Sequence, residues 1–465
     1  MTSVFDNTYA NLPPQMFTRL HPTPVKAPEL IVHNAGLADL IGFPITDPAV
    51  FAGNLIPDGA APLSQVYAGH QFGNWNPQLG DGRAVLLGEV VGRDGIRRDI
   101  QLKGSGPTPY SRQGDGRAWL GPVLREYIVS EAMHAMGVPT TRALAAVTTG
   151  EDVYREEVLP SAIVTRVAQS HIRVGTFQFF AARGDIAALQ ALTDHVIARH
   201  YPDADGPAAL LDAVIDRYAK LIAQWMGLGF IHGVMNTDNV AIAGETIDYG
   251  PCAFIDAFHP DTVFSAIDQF GRYAYSNQPG IGAWNMAQFA TALIPLMQDR
   301  EAAITDFTAA VHRFQPIYED AWLAVFAAKL GISAPAAEDQ ALISDLLDLM
   351  AKDQADFTNV FANLGSDKAG DQFLDQTAFA RWQDRWALRR GADADALMSK
   401  TNPQIIPRNH RIEKMITAAR NGDYAPFHAM LDAVTAPFAP ITDATARFAR
   451  PPGNDERFMR TFCGT

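Results

Sequence analysis

The hydrophobic pattern of this chain changes period near residue 170, and that change limits the folds open to it. Ahead of it, RAVLLGEVV at 83–91 is mostly apolar, GRDG at 92–95 is a turn and IRRDIQLK at 96–103 alternates, which predicts a β-hairpin. RALAAVTT at 142–149 and SAIVTRVA at 161–168 read as two more strands. One helix interrupts them, AWLGPVLREYIVSEAMHAM at about 118–136, with Gly137 just past it as a stop. Beyond 170 the period is helical. GPAALLDAVIDRYAKLIAQWMGLGF at 206–230 is long and amphipathic, and helical segments follow near 281–298, 301–330, 338–363, 378–398 and 411–434. The order predicts an α+β chain with a sheet-containing part at 61–168 and an enlarged helical part at 169–435. Residues 1–60, punctuated by Pro and Gly, read as an arm packed on that core, and 436–465, rich in Pro and Arg, as an irregular tail.

The 465 residues are 48% hydrophobic, enough to fill real cores. A net charge of −14 argues against a broad nucleic-acid footprint, so any phosphate must be held by a local basic pocket. Two cysteines, Cys252 and Cys463, suit a reducing compartment better than a disulfide framework. The opening MTSVFDNTYANLPPQ lacks a basic region followed by an apolar core, and no apolar run is long enough to span a bilayer. The expectation is a cytoplasmic monomer that binds neither membrane nor nucleic acid.

The helix at 206–230 delivers the chain into His232-Gly-Val-Met-Asn-Thr-Asp-Asn239, and Asp248-Tyr-Gly250 begins nine residues after Asn239. In the kinase pattern a His opens such a loop, an Asp base stands two residues on, and a metal-ligating Asn stands at the seventh position after the His. His232 and Asn239 keep that spacing, but the base position is Val234, which accepts no proton. Asp238 is the available substitute. Upstream, Gly80, Gly82 and Arg83 precede a strand, Lys103 ends the next, and Glu126 lies on the following helix. Glycines admit backbone N–H groups to phosphate, a strand lysine neutralises phosphate oxygens, and a helix glutamate aims that lysine. Asn239 and Asp248 offer the hard oxygens that Mg²⁺ prefers. Singly, each has a plainer use: a turn at Gly80–Arg83, a solvated Lys103, a Glu126 paired with Arg125, a His232 holding a backbone carbonyl, a helix cap at Asp238. Their joint order and spacing point instead to a bilobal protein-kinase-like fold that binds ATP and a divalent metal without the usual base.

The strings YAGHQFGNWNPQLGDGRAVLLGEV, DIQLKGSGPTPYSRQGDGRAWLGPVLREYI, GFIHGVMNTDNVAIAGETIDYGP, DQFGRYAYSNQP and NPQIIPRNH resemble the selenoprotein O family of protein adenylyltransferases, a pseudokinase group. The resemblance covers nearly the whole chain. It implies ATP bound in a flipped orientation, transfer of AMP to Ser, Thr or Tyr hydroxyls of proteins, release of pyrophosphate, and Mg²⁺ or Mn²⁺ as the metal. By position it implies nucleotide contacts from Gly80, Gly82, Arg83, Lys103, Asp115, Gly116, Arg166, Arg173 and Asp248. It makes Asp238 the proton acceptor, Asn239 and Asp248 the metal ligands, and Glu126 the partner of Lys103. A reversed triphosphate needs cationic donors where its end lands, and the guanidinium fork suits phosphate. Surface ion pairing is the plainer use of Arg166 and Arg173. The family commonly ends in selenocysteine or cysteine followed by two serines, whereas this chain ends Cys463-Gly464-Thr465; a redox role for Cys463 and a tail thiol without function both stay open. Competing functions are phosphotransfer, which Val234 opposes, UMP transfer from UTP, and ATP-dependent regulation without catalysis.

Overall fold

The computed structural model describes residues 4–457, 460 and 461, so Cys463 lies outside the described residues. Its first third is built on an antiparallel sheet whose order is Phe17–Arg19, Leu63–Gln65, Ala84–Val91, Arg97–Lys103, Val158–Ala168, Arg142–Tyr154 and Glu29–His33. The hairpin expected at 83–103 is present, with Ala84 opposite Lys103. Both sheet edges come from the first 33 residues: Phe17–Arg19 pairs with Leu63–Gln65, and Glu29–His33 pairs with Arg142–Tyr154. The Pro-punctuated segment thus supplies strands as well as covering.

Alternation assigns the two faces of the sheet. Leu87, Ile100, Leu102, Val147, Ile163 and Val167 face one cluster, closed by Leu37, Ile41, Val50 and Phe51 from the short helices Ala35–Ile41 and Pro48–Phe51. Leu86, Ala146 and Val164 face the main core, which runs on into the helices. The helix Leu120–Ala135 lies on that second face, buried along most of its length, because Asn409–Arg420 and Ala425–Val434 cover its other side. Arg125 turns away from Glu126 to those later helices, donating to Asn409 Oδ1 at 3.1 Å and pairing with Glu413.

The strand pair Arg142–Tyr154 and Val158–Ala168 runs well past the apolar stretches that signal it. Its extra length is a hairpin tip with Tyr154 72% and Val158 63% exposed, so no hydrophobic pattern marks it. Ala118 and Trp119, expected in the helix, instead pair with Ala162 and Ser161. In the helical part Gly206–Gly227 packs against Gln278–Leu293 and Phe314–Lys329. The single expected segment at 301–330 is two helices, Arg300–His312 and Phe314–Lys329, and those at 338–363, 378–398 and 411–434 are likewise broken in two. Val174–Arg183 and Ile186–His200 are further helices. No described helix is long and apolar enough to cross a membrane. Past residue 436 the described chain is irregular apart from Ala446–Ala449, and Thr461 returns to the body, its N–H donating to Phe264 O at 2.7 Å.

Candidate active site

After Gly227 the long helix ends, and Phe230–Ile231 pairs with Ala253–Phe254, so residues 232–250 form a loop pinched at its base. Gln278, the first residue of its helix, accepts from His232 N at 3.0 Å and donates to Phe230 O at 2.9 Å. His232 is buried, its Nε2 lies 2.9 Å from Ile247 O, and burial lowers its pKa; it braces the two loops against each other. Val234 sits on the wall of the cleft above.

That cleft, about 700 Å³, lies between the sheet and the helices. At its floor the carboxylate of Asp248 collects three cations. Lys103 Nζ is 2.9 Å and Arg166 Nη1 2.6 Å from Oδ1, while Arg173 reaches Oδ2. Glu126 backs this cluster, 2.6 Å from Lys103 and 3.3 Å from Arg166. Burial alone would raise the carboxyl pKa of Asp248; the charges of Lys103, Arg173 and Arg166 overcome it and hold the group well below the usual carboxylate range. Arg166 and Arg173 are each only 2% exposed, so surface ion pairing does not describe them. Arg166 leaves the sheet opposite Gln101, whose Oε1 accepts from its Nε at 3.1 Å. Arg173 precedes the helix Val174–Arg183 and is fixed by backbone bonds on both sides, Ile242 N to Ile172 O and Val174 N to Val240 O, each 2.9 Å. Its guanidinium also donates to Asp238 O at 2.6 Å and lies 4.8 Å from the ring centre of Tyr67.

Asp238 is buried, and burial pushes its carboxyl pKa up against the bond it accepts from Gln71. Gln71 Nε2 lies 3.1 Å from Oδ2, whereas Oδ1 has no hydrogen-bond partner among the described residues. Gln71 comes from the hairpin Gly69–Gln71 and Asn74–Asn76, which is stitched to the loop: His70 N donates to Thr237 Oγ1 at 2.8 Å and Phe72 N to Asn236 Oδ1 at 3.0 Å. The approach is close enough that a Cβ at Gly69 would fall 2.6 Å from Asp238 Oδ1. Asn239 turns its amide nitrogen onto Val234 O at 2.8 Å and lines the cleft.

The glycine loop forms the roof. Gly80 has φ +141, and a Cβ there would fall 2.5 Å from the Tyr110 ring, so this position requires glycine. Between Gly80 and Gly82, Asp81 is tied inward by Gln65 N and Gln101 Nε2, each 3.1 Å from Oδ2, and burial raises its pKa to about 6 against the charge of Arg173. Arg83 lines the cleft with no ion-pair partner among the described residues. Asp115 and Gly116 lie at the mouth, apart from the floor. Asp115 is held 2.8 Å from Arg155, whose bond lowers its carboxyl pKa, and Gly116 O accepts from Gly106 N at 3.0 Å. Tyr67, Gln71, Asp81 and Arg155 line this cleft, and Gln101 stands behind it on Arg166, without any mark in the sequence, since only tertiary pairing brings them there.

Asp248, Asn239 and Asp238 offer carboxylate and amide oxygens, with no thiol or imidazole among them, and that donor set suits a hard divalent cation. The described residues contain no cluster of three or more His, Cys, Asp or Glu placed for a metal. A site completed by water and substrate phosphates, as Mg²⁺ commonly has, fits those few donors.

A strand lysine aimed by a helix glutamate, over two polar loops that follow a long helix, makes this chain kinase-like in its site. A sequence profile described as "Protein adenylyltransferase SelO" matches residues 1–435. The chain is 62% identical to a "Protein nucleotidyltransferase YdiU" of Ruegeria sp. (strain TM1040), over 99% of both chains. Proteins of the same description from Ruegeria pomeroyi and Roseobacter denitrificans are each 61% identical, over 99% and 100% of both chains respectively. The chain therefore belongs to the SelO family of protein adenylyltransferases.

Proposed function

We propose that the cleft transfers AMP from ATP to Ser, Thr or Tyr hydroxyls of proteins, with the nucleotide reversed so that its α-phosphate meets the acceptor. The supporting observation is the burial of Arg166 and Arg173 on Asp248, beneath a loop whose usual base position is Val234. Two buried guanidinium groups fixed at the floor of the cleft can hold the β- and γ-phosphates and offset charge as pyrophosphate leaves. Lys103, steadied by Glu126, adds a third cation, and the glycine loop with Arg83 lies over the phosphates. Asp238 takes the proton of the acceptor hydroxyl as its oxygen bonds to the α-phosphorus and the bond to the bridging oxygen of pyrophosphate breaks. Asn239 and Asp248 would hold Mg²⁺ or Mn²⁺, which when bound neutralises phosphate charge. The bilobal division fits the same reading, with 61–168 and 169–435 as the two lobes, 1–60 as the arm and 436–465 as the tail. ATP carrying radiolabel at the α-phosphate should label protein, and ATP labelled at the γ-phosphate should not. Stable γ-label in protein would replace this reading with phosphotransfer.

A further inference from the structure

A second groove, about 780 Å³, opens beside the cleft and shares Gln71, Phe72 and Ile267 with it. Its outer wall is the segment between the Asp-Tyr-Gly loop and the helix Gln278–Leu293, where Phe270 is 97% and Ile267 60% exposed. A fully exposed Phe flanked by an exposed Ile is costly to leave in water unless something covers it. The groove also carries Arg272. Its guanidinium is 4.8 Å from the ring centre of Trp284, and among the described residues its buried Nε has no hydrogen-bond partner and no carboxylate pairs with it. The nearest acid in sequence, Asp268, is spent on the backbone, accepting from Arg272 N at 2.9 Å and Tyr273 N at 2.7 Å. The inner end of the groove is Gln71, which holds Asp238.

We infer that this groove seats the acceptor segment of the protein substrate, in extended form, with an acidic side chain on Arg272 and an apolar one against Phe270 and Ile267. The inference rests on the AMP-transfer reading and names the acceptor class for that site. Continuity between groove and cleft fixes the order: a hydroxyl at Asp238 leaves the neighbouring residues of its own chain at Gln71, Phe72 and then Arg272. The free positive charge selects carboxylates and rejects lysine and arginine at that position.

The full-length protein is incubated with ATP labelled at the α-phosphate and a positional-scanning peptide library built around a central Ser, Thr or Tyr. Wild type should favour Asp or Glu and a Leu, Ile or Phe at fixed offsets from the acceptor. Arg272→Glu should turn the acidic preference into a basic one and raise KM for the best acidic peptide about tenfold. Phe270→Ala removes a side chain with almost no packing in the free protein and should erase the apolar preference alone. ATP affinity, read separately by equilibrium binding, should stay that of wild type in both. Equal labelling of acidic, neutral and basic peptides, or a wild-type preference in Arg272→Glu, would overturn the groove and leave AMP transfer standing. Label that enters only from the γ-phosphate, or no label in any protein or peptide, would overturn the transfer reading itself.

Discussion

Asp238 is buried and Asp248 half-buried in one cleft, yet their surroundings drive the two carboxylates in opposite directions. Three cations keep Asp248 ionised, while Asp238 has one amide bond and an unpartnered oxygen, so its pKa rises. A group above the usual aspartate value of 3.8 suits a proton acceptor better than one below it. Because Asp238 must be deprotonated to act, the acid limb of the kcat profile should lie above 3.8, with activity lost as pH falls through it. Asp238→Asn should lower kcat by about 10²- to 10⁴-fold with ATP affinity kept, and the acid limb should vanish from the residual rate. An unchanged limb in the variant would assign it to another group. Arg166→Ala and Arg173→Ala should each cost about 1.5 to 3 kcal/mol of transition-state stabilisation, read as kcat/KM for AMP transfer. Lysine at either position should restore only part of this, since a point charge lacks the bidentate fork.

Among the elements, the hairpin Gly69–Gln71 and Asn74–Asn76 does most to position the proton acceptor. It touches the loop through His70 N, Phe72 N and the Gln71 side chain. Gly69→Ala would put a methyl group 2.6 Å from Asp238 Oδ1, backbone against a packed loop, so one of the two must move. The expected outcome is a kcat loss of at least about tenfold with the protein folded and ATP still bound, measured by steady-state kinetics and nucleotide titration; a displacement near 1 Å suffices for such a loss. The hairpin's role was not legible in YAGHQFGNWN, whose strands are three residues each and carry no period. The loops were legible because His232, Asn239 and Asp248 keep fixed local spacings. Lys103 and Glu126 sit on elements with clear periodicity, and the structure brings them together. Arg166 is different: it lies on a strand whose apolar run marks it, but only register across Gln101 aims it at Asp248. The strands Phe17–Arg19 and Glu29–His33 were hidden because they are short, flanked by proline, and stabilised by partners far along the chain. Helix breaks such as that at Arg313 leave no mark in the sequence for the opposite reason, since the apolar pattern continues through them.

Across the whole molecule, one buried charge ties the late helices to the loop region. Arg408, fully buried, pairs with Asp356 at 2.8 Å and with Asp256, which follows the short strand Ala253–Phe254. Asp356 also caps its own helix by accepting from Asn359 N at 2.8 Å. Arg408→Met would leave two carboxylates facing each other without their cation, and should destabilise the protein by about 3 to 5 kcal/mol in urea unfolding. Converting both carboxylates to Asn in the same variant should recover much of that loss, because the isolated charges are then gone.

The sheet edge formed by Glu29–His33 carries a consequence for synthesis. Its partners, Ala145 to Thr148, leave the ribosome more than a hundred residues later, an interval on the order of ten seconds at ordinary elongation rates. Through that interval Ile31 and its neighbours have no strand to join, and the apolar face that Leu37 and Ile41 will cover lacks Val147, Ile163 and Val167. Residues 29–33 thus wait far longer for a partner than Phe17–Arg19, whose partner strand is Leu63–Gln65. Nascent chains stalled before residue 145 should therefore hold this segment open to proteases and chaperones, while those stalled well beyond 168 should protect it.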